Sequence, residues 1–171
     1  MKTWEDCVAF HGHACGGLTL GYKASVYAAK LLELGFSEDE QVVCIAENNA
    51  CGIDAISVML GCSLGKGNLI LHLVGKTAYS FYNRSTGASV RLVAKPRPQG
   101  MTREDSFAYY QSCPPEEIFT VKQTTLPLPE KAQLFGNFVC QCCGEEAGEA
   151  WCKELDGKKL CLDCAESEKR K

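Results

Sequence analysis

Two C-x2-C pairs near the C-terminus limit what this chain can fold into more than any other feature. Cys140 and Cys143 form the first pair, and Cys161 and Cys164 form the second. Four thiolates from two such pairs make a closed tetrahedral Zn²⁺ site. A segment this short cannot build a sufficient apolar core without a staple, so ordinary free thiols would leave it unfolded. We therefore expect a structural zinc ion with no open coordination position.

The residues around these pairs predict a treble-clef zinc finger. Gly144 suits a tight knuckle after the first pair, and "DGKK" is typical of a hairpin tip between the pairs. The segment "CLDCAESEKRK" can begin a helix at the second pair. Cys142 and Cys152 are then spare thiols. The lysines of this segment are offset by acidic residues, which argues against nucleic acid as its partner.

Length and proline content indicate a core domain followed by this appendage. The chain has 171 residues, which suits one domain plus a small module. Pro127 and Pro129 stiffen the stretch between them. We expect a core domain over residues 1–126, a linker over 127–136 and a zinc-finger domain over 137–171.

Composition excludes several classes of function. The formal net charge is −3 and the pI is about 5.7, so nothing favours nucleic acid or an anionic membrane as a partner. The sequence has no apolar leader at its N-terminus and no apolar run long enough to span a membrane. We expect a cytoplasmic protein. In a reducing compartment its 12 cysteines should be thiols or metal ligands.

Hydrophobic spacing in the first domain predicts an α+β fold, with an antiparallel or mixed sheet packed against helices. Thr3 and Asp6 form a capping box for a short helix that ends near Gly12, and Thr102 and Asp105 form another. The predicted helices cover residues 3–12, 14–35 (ending at Gly35), 48–61 (capped by Asn48 or Asn49) and 102–112. The predicted strands cover residues 40–47, 68–74, 77–83 and 88–94. A helical turn and one more strand are predicted within 114–126. We expect the strands from 68 to 94 to form an antiparallel meander, with a compact turn at Gly87 between the last two.

The stretch "FHGHACGG" places His11, His13 and Cys15 at alternate positions. Alternate residues point the same way only in extended backbone, whereas in a helix His11 and Cys15 share a face and His13 points elsewhere. The glycines of this stretch favour irregular backbone. Imidazole and thiolate bind zinc or a softer metal. A thiol at a helix N-terminus beside an imidazole can instead become a nucleophile. Packing at a helix start is the weakest of the three interpretations, and we favour His13 and Cys15 as metal ligands.

A second stretch, "ENNACGIDA", supplies the natural complement. We expect Cys51 in the first helical turn, where the helix dipole favours thiolate. Asp54 lies less than one turn later and can orient a histidine or receive a proton. We assign Cys51, Asp54 and His11 as catalytic candidates. For Cys62, a functional thiol and a buried hydrophobic side chain are equally supported. His72 is predicted to be a core histidine whose hydrogen bonds are satisfied.

The stretch "GCSLGKGN" superficially resembles a phosphate-binding loop. That loop needs G-x4-G-K followed by Ser or Thr, running from a strand into a helix. Here the glycines are one residue too close and Gly67 replaces Ser or Thr. We interpret the segment as a helix-to-strand turn, although Lys66 keeps weak potential for binding anions.

Taken together, "FHGHACGG", "ENNACGIDAISVMLGCSLGKGNL" and the terminal C-x2-C pairs resemble the FmdE family of formylmethanofuran dehydrogenase components over nearly the whole chain. The resemblance implies an α+β core with a cleft lined by those motifs, an added treble-clef finger, and dimerisation. It also implies association with the molybdenum or tungsten complex that reduces CO₂ onto methanofuran in methanogenesis, whose pterin chemistry belongs to other polypeptides. The matching motif positions are His11, His13, Cys15, Cys51, Asp54, Cys62, Lys66 and Asn68.

The sequence therefore predicts an FmdE-like metal-binding protein, an accessory or small-molecule enzyme of one-carbon metabolism. We expect a second transition metal, zinc or nickel, at the core His/Cys cluster, a homodimer, and no nucleic-acid or membrane partner. Two alternatives stay open. One is a thiol enzyme that uses Cys51 or Cys15 with a histidine base. The other is a non-catalytic interaction module in which the zinc finger docks a partner.

Overall fold

The chain divides between Ala132 and Gln133 into two compact units. The computed structural model describes residues 2–169. We call the parts on either side of that division the core unit and the C-terminal unit. The last residues of the core unit are held against it, because Tyr82 donates a hydrogen bond to the carbonyl of Leu126 and Arg84 donates one to that of Pro129. None of the helices within residues 2–169 is long and apolar enough to cross a membrane.

The core unit consists of five helices and a five-stranded mixed sheet within its described residues. This agrees with the predicted α+β class. In chain order the elements are α1 (Trp4–His11), α2 (Gly16–Leu32), β1 (Val42–Ala46), α3 (Gly52–Leu60), β2 (Leu69–Leu71), β3 (Ala78–Asn83), β4 (Ser89–Ala94), α4 (Arg103–Ser112), α5 (Pro115–Ile118) and β5 (Phe119–Lys122).

The predicted antiparallel meander is wrong for β2, the first of its three strands. The sheet order is β2-β1-β3-β4-β5, and β2 pairs with β1 in parallel instead of lying beside β3. The cause is α3, which follows β1 and returns the chain to the same end of the sheet, so that the next strand runs in the same direction. The remaining pairs are antiparallel, and of these the pairing of β3 with β4 is the one that the sequence predicted.

The two helices that meet near "FHGHACGG" begin and end at the residues that set its geometry. Thr3 and Asp6 form the predicted capping box of α1, and Gly12 ends that helix in the left-handed region with φ 91°. Cys15 is the N-cap of α2 and accepts a hydrogen bond from the backbone N–H of Leu18. The predicted stop of α2 at Gly35 is wrong, because Glu33 already adopts the left-handed conformation that ends it.

Helices α2 and α3 approach each other closely at a pair of glycines. A Cβ atom on Gly21 would overlap the backbone carbonyl of Gly52, so only two glycines permit this contact. The predicted cap of α3 by Asn48 or Asn49 is wrong. Cys51 occupies the N-cap position without a capping side-chain bond, and Asn48 instead accepts a hydrogen bond from the N–H of Ala50.

The C-terminal unit is a small arrangement of two hairpin-like strand pairs and a helix. Among its described residues, the apolar cluster contains only Cys140, Leu160 and Ala165 as buried residues, which is far too little for independent folding without a further constraint. The elements are β6 (Asn137–Val139), β7 (Glu146–Gly148), a 3₁₀ turn (Glu149–Trp151), β8 (Lys153–Leu155), β9 (Lys158–Leu160) and α6 (Leu162–Lys169). Asp156 and Gly157 form the predicted hairpin tip, both with positive φ.

Candidate functional sites

The four cysteines of the two C-x2-C pairs converge in the C-terminal unit. The sulfur atoms of Cys140, Cys143, Cys161 and Cys164 all lie within 4.8 Å of one another, which is the arrangement of a four-thiolate metal site. Gly144, with φ 77°, donates its N–H to the carbonyl of Cys140 and closes the knuckle. Within the described residues, neither Cys142 nor Cys152 joins this group.

Backbone N–H groups stabilise the thiolate form of Cys140. Cys140 is almost fully buried, and its sulfur accepts hydrogen bonds from the backbone at Cys143 and Cys161. These bonds lower the pKa of Cys140 to about 6. A buried sulfur that accepts backbone N–H groups in this way is typical of a thiolate metal ligand. Four protein ligands leave no open position, so this cluster suits a structural metal ion.

A second group of potential metal ligands lies in the core unit at "FHGHACGG". One ligand atom from each of His11, His13 and Cys15 lies within 4.8 Å of the others. His11 is the last residue of α1 and Cys15 is the N-cap of α2. The left-handed conformation of Gly12 reverses the chain between them, so that the two imidazole rings lie close together with centroids 4.5 Å apart.

Asp54 orients the first of these histidines. Its Oδ2 atom lies 2.7 Å from Nδ1 of His11, and the Nε2 atom of the same ring lies 4.0 Å from the sulfur of Cys15. A proton on Nδ1 that is donated to the carboxylate leaves the Nε2 lone pair directed toward the cluster. This carboxylate–histidine arrangement is the usual outer support of a metal-binding imidazole. His11 therefore joins the candidate ligands, whereas its sequence context suggested a catalytic role.

The start of α2 positions Cys15. Its sulfur lies 3.4 Å from the backbone N of Leu18, and its carbonyl accepts a hydrogen bond from the hydroxyl of Thr19. Gln111 of α4 in turn donates to that hydroxyl at 2.9 Å. The Leu18 N–H of the first helical turn donates to the sulfur, which suits a sulfur that carries negative charge, as a metal-bound thiolate does.

Cys51 lies beside Cys15, but its electrostatic environment differs from the expected one. Burial raises the pKa of the Cys51 thiol, and the neighbouring Cys15 raises it further. The expectation that the α3 dipole would favour thiolate is wrong, because desolvation and the adjacent sulfur outweigh it. Gly17 lies next to both thiols. A Cβ atom there would lie 3.7 Å from the sulfur of Cys51 and 4.0 Å from that of Cys15.

The remaining candidates from the sequence do not join the cluster. Cys62 is fully buried and donates to the carbonyl of Val42, and burial raises its pKa to about 12. His72 is exposed beyond the end of β2, so its prediction as a core histidine is wrong. Lys66 donates to the carbonyl of Ser37 at 2.7 Å.

Asn68 is fully buried and ties the turn after α3 to its surroundings. Its amide nitrogen donates to the carbonyls of Asp39, Val42 and Gly61, and its oxygen accepts from the N–H of Ser63. The segment "GCSLGKGN" is therefore a clamped helix-to-strand turn, as the sequence predicted.

Helix α4 contributes residues to the site that the sequence motifs did not reveal. A cavity of about 270 Å³ opens beside Cys15, with Arg103, Glu104 and Phe107 of α4 on its other side. The capping box at Thr102 predicted the helix itself. No local pattern could show that this helix packs against residues nearly ninety positions earlier, because that contact depends on the tertiary fold.

Comparisons with known proteins agree with this architecture. The model of the family described as "FmdE, Molybdenum formylmethanofuran dehydrogenase operon" matches residues 10–124. A solved structure of an FmdE-like protein of the tungsten formylmethanofuran dehydrogenase type, from Syntrophus aciditrophicus, superposes with a TM-score of 0.73 and 26% identity. That match covers 95% of this chain and 90% of the other.

A relative from Archaeoglobus fulgidus, described as a probable S-adenosyl-L-methionine-binding protein, is 30% identical over 192 aligned residues. The match covers 92% of this chain, which spans about half (51%) of the length of that relative.

Proposed function

Because this chain belongs to the FmdE family, we propose that it is a metal-binding protein of one-carbon metabolism with a transition-metal site in its core unit. The ligands of that site are His11, His13 and Cys15. The zinc ion of the C-terminal unit, held by the four clustered cysteines, is structural. The observation that carries the proposal is the convergence of two imidazoles and one thiol within 4.8 Å.

The donor set fits zinc or nickel. Two imidazole nitrogens and one thiolate suit borderline-soft divalent ions. Three protein ligands leave a coordination position for a substrate or water, which is the pattern of catalytic zinc sites. Asp54 holds the His11 ring in the orientation that such a site needs, through the 2.7 Å hydrogen bond.

The chain's own residues would bind and orient a small substrate at this position. A bound zinc or nickel ion supplies Lewis acidity at its open position. The cavity beside Cys15 has an aromatic wall from Phe107 and one charge of each sign, from Arg103 and Glu104. These residues favour a small polar molecule with an apolar portion. Asp54, with 41% of its side chain exposed, can also exchange a proton with solvent.

We further propose that the protein acts as a homodimer and associates with a formylmethanofuran dehydrogenase-type complex. The family supports the second part, and light scattering with co-purification from the native host tests both. The molybdenum or tungsten pterin chemistry of such a complex would reside in its other polypeptides.

Thiol catalysis is the second candidate function, with Cys15 as nucleophile and His11 as base. The 4.0 Å separation of His11 Nε2 and the sulfur of Cys15 favours it. It predicts that a protein with metal only in its C-terminal unit is fully active and that one thiol is alkylated selectively below about pH 8, near the pKa of an ordinary thiol. Activity that requires a metal in the core unit would exclude it.

Elemental analysis of purified variants tests the main proposal. We expect two metal ions per chain in the natural sequence. The double variant His13→Ala, Cys15→Ser should lose one of them, and Cys140→Ser should lose the other. His72→Ala is the matched control, since that histidine is exposed and outside both clusters. A single zinc ion that disappears with Cys140→Ser would overturn the core metal site.

A further inference from the structure

The thiols of Cys15 and Cys51 flank the same glycine. A Cβ atom on Gly17 would lie within 4.0 Å of both sulfur atoms, so the two thiols approach the same point. Gly17 itself places no side chain there. Both thiols are only partly buried, which gives an oxidant access to them.

Three of the other four thiols of the core unit are shielded from oxidants. Cys7, Cys44 and Cys62 are fully buried, and a fully buried thiol reacts slowly with oxidants. Cys113, the C-cap of α4, is partly buried, so it is the competing partner for either thiol of the pair.

We propose that Cys15 and Cys51 form a reversible disulfide that switches the core metal site off. This inference rests on the proposed metal-binding function for its consequence, although the disulfide itself does not require the metal. One sulfur of the pair is a proposed metal ligand, and its neighbour is not among the three converging ligand atoms. Oxidation therefore removes the Cys15 thiolate from the cluster, because its sulfur becomes part of the disulfide. Reduction of the disulfide restores the ligand.

The redox step balances with a two-electron oxidant such as hydrogen peroxide. One thiolate attacks the peroxide, the O–O bond breaks, and a sulfenic acid forms. The second thiol attacks that sulfur, the S–S bond forms and the oxygen leaves as water. In total the two thiols lose two protons and two electrons, and the peroxide becomes two water molecules. A dithiol reductant reverses the step by thiol–disulfide exchange.

Peptide mapping of the full chain tests the disulfide directly. The full chain, with the metal of its C-terminal unit in place and its core cluster free of metal, is treated with one equivalent of diamide, an azo compound that takes up the same two protons and two electrons to become a hydrazine. Cleavage after Phe10 separates Cys15 from Cys7, and cleavage after Glu47 and before Asp54 isolates Cys51 from Cys44 and Cys62. We expect one linked peptide pair that joins Cys15 to Cys51 and disappears with dithiothreitol.

Cobalt binding measures the consequence. We expect the reduced protein to show the absorption of a cobalt–thiolate bond at the core cluster. The diamide-treated protein should bind cobalt there at least about tenfold more weakly, since it lacks a ligand. Cys51→Ser should show no such loss relative to its own reduced form. Cys113→Ser, the matched control, should behave as the natural sequence does.

Each outcome decides one part of the inference. The absence of a Cys15–Cys51 linkage, or a dominant linkage of either residue to another cysteine, would overturn the disulfide. Equal cobalt affinity before and after oxidation, with the linkage present, would overturn the switch. Failure of the reduced protein to bind cobalt at the cluster would instead refute the proposed metal site, and the peptide map would still decide the disulfide.

Discussion

His11 and Asp54 join two helices that are distant in the sequence, since Nδ1 of the histidine lies 2.7 Å from Oδ2 of an aspartate 43 residues later. The contact links the last residue of α1 to the first turn of α3. It also fixes which ring nitrogen faces the cluster. The geometry of the candidate metal site thus depends on the packing of these two helices.

Asp54→Asn should weaken metal binding in the core unit. The amide carries no charge to support the imidazole, and loss of such an outer partner typically reduces metal affinity about 10- to 100-fold. Competition with a chelator measures the effect. Glu38→Gln, which removes an exposed carboxylate elsewhere, should leave both metals in place. Equal affinities in all three proteins would refute the orienting role of Asp54.

Gly21→Ala should destabilise the core unit by about 1–3 kcal/mol or more, the usual cost of overpacking a close contact. The new methyl group would overlap the carbonyl of Gly52 and force α2 and α3 apart. Urea unfolding measures the change. Gly35→Ala is the control, because nothing lies within 4 Å of a Cβ atom there. It should stay within about 0.5 kcal/mol of the natural sequence.

The stability of the core unit should fall in acid through Glu47. This buried carboxylate accepts two hydrogen bonds from Arg91, at 2.5 and 2.8 Å, and these bonds lower the pKa of Glu47 below its ordinary value of 4.5. The unfolded chain therefore takes up this proton at a higher pH than the folded one. The contribution is complete above the ordinary pKa and disappears as the pH falls through the lower, folded-state value.

Unfolding free energies measured from about pH 7 to about pH 3 test this dependence. Glu47→Gln should lower stability at neutral pH, because it leaves the buried guanidinium without its counter-charge, and should flatten the acid limb of the curve. Glu116→Gln is a useful comparison, since that carboxylate pairs with Lys30 on the surface and should contribute little. Parallel curves for Glu47→Gln and the natural sequence would contradict the assignment.

Cys140→Ser should unfold the C-terminal unit and leave the core unit intact. Within the described part of the unit, the buried cluster around Cys140 contains only three residues, so we expect the metal to supply most of the folding free energy. Amide NMR signals from residues after 136 should lose their chemical-shift dispersion, while those from the core sheet should keep their positions. Cys142→Ser replaces an exposed thiol outside the cluster and should change neither set. Simultaneous loss of both sets would show that the units do not fold independently.

The sequence predicted local features well because local chemistry determines them. The capping boxes at Thr3 and Thr102 and the turns at Gly87 and Asp156 each depend on residues a few positions apart, and all four are present in the structure. The clustering of the four cysteines also followed from spacing alone. These predictions required no knowledge of the remaining chain.

The errors arose where long-range packing overrides a local preference. The position of β2 depends on how α3 crosses the sheet, and the stop of α2 at Glu33 depends on where the helix meets the core. The pKa of Cys51 was misjudged because the dipole of its own helix is visible in the sequence, whereas burial beside Cys15 is not. Arg103 and Phe107 were missed for the same reason.

The hydrogen bond from the Leu18 amide to the sulfur of Cys15 has a practical consequence. Since α2 begins at that sulfur, one backbone proton senses the bonding state of the atom on which the site depends. Its NMR frequency should differ among the free thiol, the metal-bound thiolate and the disulfide, with no label attached to the site. The Leu18 amide, in the first turn of the longest described helix, is therefore an intrinsic NMR probe of the Cys15 sulfur.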